Sequence, residues 1–420
     1  MKRILIGFFT IVFIVCLQGP IMAAQPESYD STVTGKGDPS ADVIAVQKAV
    51  DQGGSVLLKG NFDFGKDGKV IISKDVNIHG ETDEQGAPVT KIQGGFWTFQ
   101  SKLPEQLPPQ APGPKIGIQG IHFEGALWTP ISLPYCGGAN IVKNKITKVR
   151  PIEATVFGKE GMYRHQGITL VPLFGLPKEH RKYQPGAVTG TIMIADNDID
   201  LSNDIPEKTM AQGVLIIGAT GANTQILRNR VVNCSRNSLE SLDNYPGEDG
   251  SGMTIFKGNK IVTATKGIPL PTPGTPNGII AGWFLDMTGA TDPARWTKIV
   301  VTENQIETRG DRSSGIVILS DGAVITSNHI LLKGGPKSNA IFHGNSDSII
   351  ANNKIEGSGS CAVMLAGFQK LKPCRNVIMG NDVTLFKASM ADVFLGGSCN
   401  IALHEKGNIV DKGQMNLVMK

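Results

Sequence analysis

Aliphatic residues alternate in short runs along most of the chain, and an asparagine recurs beside each run. The unit Asn-x-(Ile/Val) stands at Asn144/Ile146, Asn197/Ile199, Asn229/Val231, Asn259/Ile261, Asn304/Ile306, Asn328/Ile330, Asn353/Ile355, Asn381/Val383 and Asn408/Val410. Successive asparagines are 53, 32, 30, 45, 24, 25, 28 and 27 residues apart, so most steps share one length and two are enlarged. Within Ile349-Ile350-Ala351-Asn352-Asn353-Lys354-Ile355 the period is that of a strand, which sets each asparagine and the aliphatic two residues on to one face. An amide repeated once per coil can bond the backbone at a turn and its counterparts on neighbouring coils, about 4.8 Å away.

A second strand follows each asparagine, opening at Gly167-Ile168, Gly213-Val214, Gly278-Ile279, Gly315-Ile316, Ala340-Ile341, Ala362-Val363 and Asp392-Val393. In the shortest coil, Asn304 to Gly315 is 11 residues and Gly315 to Asn328 is 13, room for two or three short strands and for no useful helix. Coils of this kind bury their faces only against one another, so a long chain needs no second core. The pattern predicts one solenoid domain over residues 25–420, with a cap and first coils over 25–115 and repeat coils over 116–420. Insertions fall near 147–190 and 262–298. Ser40-Ala41-Asp42 followed by Val43, Ile44, Val46 and Val50 predicts a capped amphipathic helix over the open end, and Ser55–Lys59, Val70–Ile72 and Val76–His79 predict the first strands. Residues 101–114, rich in proline, read as a loop.

The opening Gly37-Asp38, Ile44-Ala45-Val46-Gln47-Lys48-Ala49-Val50 and Gly53-Gly54-Ser55-Val56-Leu57-Leu58, followed by the asparagine coils, resembles the pectin-lyase-like superfamily. The resemblance covers nearly all of the chain after residue 24 and implies an all-β fold, a right-handed parallel β-helix with an N-terminal capping helix. It leaves activity open, because that superfamily includes lyases, hydrolases, epimerases and non-enzymatic surface proteins. The Asn-Thr-Asp, Asp-Asp, Gly-His-Gly and Arg-Ile-Lys set of polygalacturonases is missing here, Asn223-Thr224 being followed by Gln225. The Trp-Ile-Asp-His segment of pectate lyases and the Asp-Pro-His-Glu segment of alginate epimerases are missing too.

Composition narrows the setting. Lys2 and Arg3, an apolar run from Ile4 to Leu17 and small residues at Ala23 and Ala24 form an export signal over residues 1–24, too short for a membrane span. The protein is then secreted or periplasmic. Removing the signal lowers the formal charge from +4 to +2, which predicts no strong attraction to nucleic acid or anionic membrane. The remaining Cys136, Cys234, Cys361, Cys374 and Cys399 are odd in number and scattered, so this is no disulfide scaffold. Cys374 and Cys399 lie one repeat apart and either bridge or stack as small buried side chains, with stacking preferred.

Candidate chemistry gathers at the enlarged coils, since long loops on a rigid scaffold commonly carry function. The first insertion brings Tyr163, Arg164 and His165, and then Arg181 and Tyr183; the second brings Trp283 and Asp286. Aromatic faces with charged partners suit an acidic polysaccharide or another glycan. Aligning the second strands turns Thr169, Leu215, Ile280, Val317, Phe342, Met364 and Phe394 outward. An apolar column of this kind calls for a cover, from the insertions or from another copy in a homo-oligomer. Glu240 falls in that column, and a carboxylate among apolar neighbours is a candidate general acid or base, with Asp243 as a second carboxylate. The outward residues after the asparagines form a mixed-charge column from Lys145 and Asp198 to Asp382, in which Asp198 and Arg230 would pair. Asp196, Asp198 and Asp200 share one face that would suit calcium, although a solvated charged face explains them more simply.

Two readings follow. In the first, the protein is a polysaccharide lyase: Arg164 neutralises a uronate, and Tyr163, His165 or Glu240 moves the proton. Hydrolysis would instead pair Glu240 with Asp243 or Asp286. In the second, the protein is a non-catalytic β-helix that binds glycan or builds a cell surface.

Overall fold

The computed structural model describes residues 28–106, 109–156, 158–172, 186–269, 275–282, 297–368, 372–405 and 407–419. Residues 1–24, read above as an export signal, lie outside them. Three short strands make each coil. In one, Lys298–Thr302 is followed by Gln305–Thr308 and Ser314–Leu319, and the next coil starts at Val324–Thr326. Strands before the asparagines stack into a 14-stranded sheet, the first face. The short strand after each asparagine (second face) and the strand that follows it (third face) belong to a 22-stranded sheet, because Lys354–Leu365 and Asp382–Leu395 run through both. Pairing between these strands is parallel throughout, save for one hairpin in the first insertion, Ile152–Val156 against Lys159–Leu170. The chain is a parallel β-helix.

The core is a shaft of stacked aliphatics, one column per face. Ile194, Ile226, Phe256 and Val301 line the first face, Ile199, Val231, Ile261 and Ile306 the second, and Val214, Leu239, Ile279 and Ile316 the third, none more than 2% exposed. Over the N-terminal end lies the helix Pro39–Gln52, burying Val46, Ala49 and Val50. It begins one residue before the predicted start, at Pro39, and Asp38 caps it by accepting from the Ser40 and Ala41 amides. Asp42, 1% exposed, accepts from the amides of Lys36, Gly37 and Asp63 and so ties the helix to the first coil.

The structure corrects the single strand expected through each asparagine. The chain turns there. Residues just before the ladder asparagines adopt positive φ, among them Lys143 (55°), Asp196 (57°), Arg228 (51°), Glu303 (58°), Ser327 (57°) and Asn352 (55°). Each asparagine thus drops into the corner between the first two faces. Asn304 Oδ1 accepts from the backbone and side-chain amides of Asn259 at 3.0 and 2.9 Å. Its Nδ2 donates to Asn328 Oδ1 at 2.9 Å and to the Phe256 and Thr302 carbonyls, both at 3.0 Å. Asn144, Asn197, Asn229, Asn259, Asn304, Asn328, Asn353 and Asn381 form one continuous buried ladder by the same bonds.

The ninth repeat is not Asn408. Asn381 donates instead to Glu405 Oε1, and the exposed Asn408 amide donates to Asp392. A second, shorter ladder, Asn376–Asn400–Asn416, occupies another corner of the last coils; Asn376-Val377-Ile378 and Asn416-Leu417-Val418 also fit Asn-x-(Ile/Val) but lie outside the nine repeats above. Cys374 pairs with Ser398 rather than stacking on Cys399, and all five described cysteines are free.

Asn304→Ala should lower stability by about 3 kcal/mol or more, because it strands several buried donors and acceptors at once. Asn408→Ala, outside the ladder, should change it by no more than about 0.5 kcal/mol. Urea unfolding of the two variants measures the difference.

Burial raises the Glu405 carboxyl above the ordinary range, against the two Asn381 donors. A carboxyl so raised binds its proton more tightly in the folded state. That stabilisation is complete below the unfolded pKa and is lost as pH rises through the folded one. Glu405→Gln retains the acceptor and cannot ionise, so its urea midpoint should exceed that of the wild type at neutral pH, with the gap closing on acidification.

Candidate functional site

The third-face register aligns Thr169, Leu215, Glu240, Ile280, Val317, Phe342, Met364 and Phe394 in one outward column, as the sequence predicts, with Leu239 inward despite the missing glycine before it. Leu215, Ile280, Val317 and Phe342 are at most 4% exposed and form a second apolar cluster outside the solenoid wall with Val171, Ile217, Leu242 and Leu319. Their burial is complete within one chain. The cover expected from another copy is therefore not needed for them.

Glu240 lies in this column but is not set among apolar groups alone. One carboxylate oxygen accepts from Gln212 Nε2 and from Asn237 Nδ2, the latter at 2.7 Å. Arg236, 3% exposed, sits beside it; burial pulls the guanidinium pKa down and the Glu240 charge opposes that shift. The bonds continue in both directions along the solenoid. Trp128 Nε1 donates to Gln166 Oε1 at 2.5 Å, Gln166 Nε2 to Gln212 Oε1 at 3.0 Å, Asn277 Nδ2 to Asn237 Oδ1 at 3.0 Å, and the Ser314 amide to Asn277 Oδ1 at 2.8 Å. A polar ladder thus runs along the corner that opens the third face.

Gln166, Gln212, Asn277 and Ser314 carry no mark in the chain beyond their neighbours, each directly preceding a small residue that opens a third-face strand: Gln166-Gly167, Gln212-Gly213, Asn277-Gly278, Ser314-Gly315. The close stacking is what demands the small residue. A Cβ on Gly213 would come within 2.4 Å of the Ser238 carbonyl oxygen, and one on Gly278 within 2.5 Å of that of Gly315.

Arg164 packs its guanidinium 4.4 Å above the Trp128 ring, which itself lies 4.8 Å from Trp97. Arg164 and Glu240 therefore touch opposite ends of one connected run through Trp128, Gln166 and Gln212. His165 does not join them. It lies in the strand Lys159–Leu170, pairs in register with the core residue Ala211, is fully buried and bonds the Val149 carbonyl at 2.8 Å through Nδ1. Burial lowers its pKa to about 4, so it is neutral near pH 7. Tyr163 is half-buried on the same strand, between Glu153 and Thr209. Asp243 is buried just beyond the Glu240 strand, with φ 50° and its amide on the Gly282 carbonyl. Trp283, Asp286, Arg181 and Tyr183 lie outside the described residues. The two insertions do meet: Val156 and Met162 of the first pack with Ile268 of the second.

The second-face column is the charged surface expected, with Arg230 on Asp198 at 2.6 Å. Arg228 grips Asp196 with two nitrogens, and Asp200 is taken up by Ser202 and Asn233. Among the described residues no three His, Cys, Asp or Glu side chains cluster as metal ligands, and no helix is long and apolar enough to cross a membrane.

The chain matches no protein-family model and no curated protein. Among solved structures it is similar to PfbA, a surface adhesin of Streptococcus pneumoniae, at 10% identity and a TM-score of 0.43, over 93% of this chain and 92% of that one. A second structure of PfbA, described as a surface protein and adhesin, gives 11% identity and a TM-score of 0.39 over 93% and 100%. The β-helix assignment rests on the strand pairings above.

Glu240→Ala should destabilise the fold by about 3–5 kcal/mol, because it leaves the buried Gln212 and Asn237 amides without this acceptor and removes the negative charge that offsets the burial of Arg236. Thermal or urea unfolding checks this; a loss under about 1 kcal/mol would contradict a structural role for the carboxylate.

Proposed function

We propose that this is an extracytoplasmic, non-catalytic β-helix that binds an acidic glycan. One observation carries the reading: the groups a lyase would have to converge are divided between the two sides of one sheet. Arg164 lies outside on Trp128, whereas His165 is sealed in the core. Of the other two proton carriers, Tyr163 stands two residues from His165 on the same strand and so on the side of the sheet away from Arg164, and Glu240 has an oxygen occupied by two side-chain amides and a buried arginine beside it. Elimination needs a base that reaches a substrate proton, and hydrolysis needs two accessible carboxylates; Glu240 and Asp243 are each no more than 2% exposed. Acidic glycan, with the extracytoplasmic setting, follows from the export signal and from the resemblance to the pectin-lyase-like superfamily.

The purified mature protein, incubated with polygalacturonate, alginate and other uronate polysaccharides, should release neither unsaturated products nor new reducing ends, yet should be retarded in affinity gels cast with at least one of them. Turnover that Glu240→Gln abolishes would restore the lyase reading. Absence of both turnover and retardation would overturn the acidic-glycan reading.

A further inference from the structure

A second surface, on a different face of the coil, has the properties of a binding groove. The outward column of the first face reads Asn77, Gly117, Asn140 and Met193 in successive coils, aligned by register. Farther along, the same column carries Ile255, Val300, Val324 and Ile349. Glycine and asparagine therefore coincide with the stretch from Asn77 to Asn140, which Met193 closes, and a groove of about 850 Å³ lies over it, from Gly54 and Asn77 to Met193 and Arg228. At Gly117 a Cβ would stand 2.2 Å from Asn77 Oδ1, so the Asn77 amide lies across the Gly117 rung and forms the floor.

We infer that this groove holds the acidic glycan, its chain running along the solenoid axis. The inference rests on the glycan-binding reading and adds where the glycan lies. Asn77 and Asn140 are two rungs apart, ~9.6 Å at the spacing of paired strands, close to the length of two sugar residues in an extended chain. Neither amide bonds to a protein group among the described residues, which leaves donors and acceptors for sugar hydroxyls. Charge on the groove is unevenly used. Arg228 and Asp196 neutralise one another, and Asp75 accepts the Lys115 backbone amide. The exposed ammoniums of Lys115 and Lys143 make no ion pair among the described residues, which suits carboxylates on the sugar.

The test is calorimetric titration of the full mature chain with hexagalacturonate and, for comparison, cellohexaose. Hexagalacturonate should bind, with affinity falling as salt is raised. Asn77→Ala/Asn140→Ala and Lys115→Ala/Lys143→Ala should each weaken it about tenfold or more, near 1.4 kcal/mol, with unchanged unfolding midpoints. Lys387→Ala, on a distant exposed strand, should have no effect. Wild-type binding that neither pair weakens would overturn the groove and leave the glycan reading intact. No binding of either oligosaccharide by the wild type would overturn the groove, and the affinity gels decide separately whether the glycan reading falls with it.

Discussion

The fold depends on a bond repeated in one corner: a buried asparagine amide that holds the turn of its own coil and links to the coils on either side. The corner is needed because a shaft of three faces must bend sharply between strands, and here it bends by placing residues such as Lys143, Arg228 and Asn352 at positive φ. Outside glycine that backbone region is unfavourable by about 1 kcal/mol or more per residue. The turn also buries backbone groups that no strand partner reaches. The ladder meets both demands, since each amide bonds the backbone of the coil before it while its own donors and acceptors are taken up.

Regular stacking then decides what the surface can do. Because every rung repeats the same three faces, a polar column in register becomes a continuous bonded line, as from Trp128 through Gln166, Gln212, Glu240, Asn237 and Asn277 to Ser314. Such a line rigidifies the corner where both insertions leave the scaffold, and it removes Glu240 from solvent chemistry. The two sides of the third face are both buried, one in the shaft and one in the outer apolar cluster. Open, concave surface survives instead on the first face, where glycine and asparagine replace the larger side chains of later coils.

Much of this architecture was legible in the chain. The asparagine spacing gave the coils, and alternation gave both outward columns in correct register, because a strand fixes side-chain direction by parity alone. That Asn-x-(Ile/Val) is a corner and not a strand was hidden, since a positive φ at lysine or arginine has no compositional mark. Tyr163, Arg164 and His165 looked like a loop cluster; placed on a strand, parity sends Arg164 and His165 to opposite sides.

Local pattern thus determined the fold, the register and the position of Glu240 in its column, all consequences of periodicity along the chain. Tertiary structure alone decided that Glu240 meets Gln212 and Arg236, that the ladder ends at Glu405, and that a groove opens over Gly117. Those contacts join residues from different coils and corners, and their distances depend on how the rungs stack rather than on any pattern within one rung.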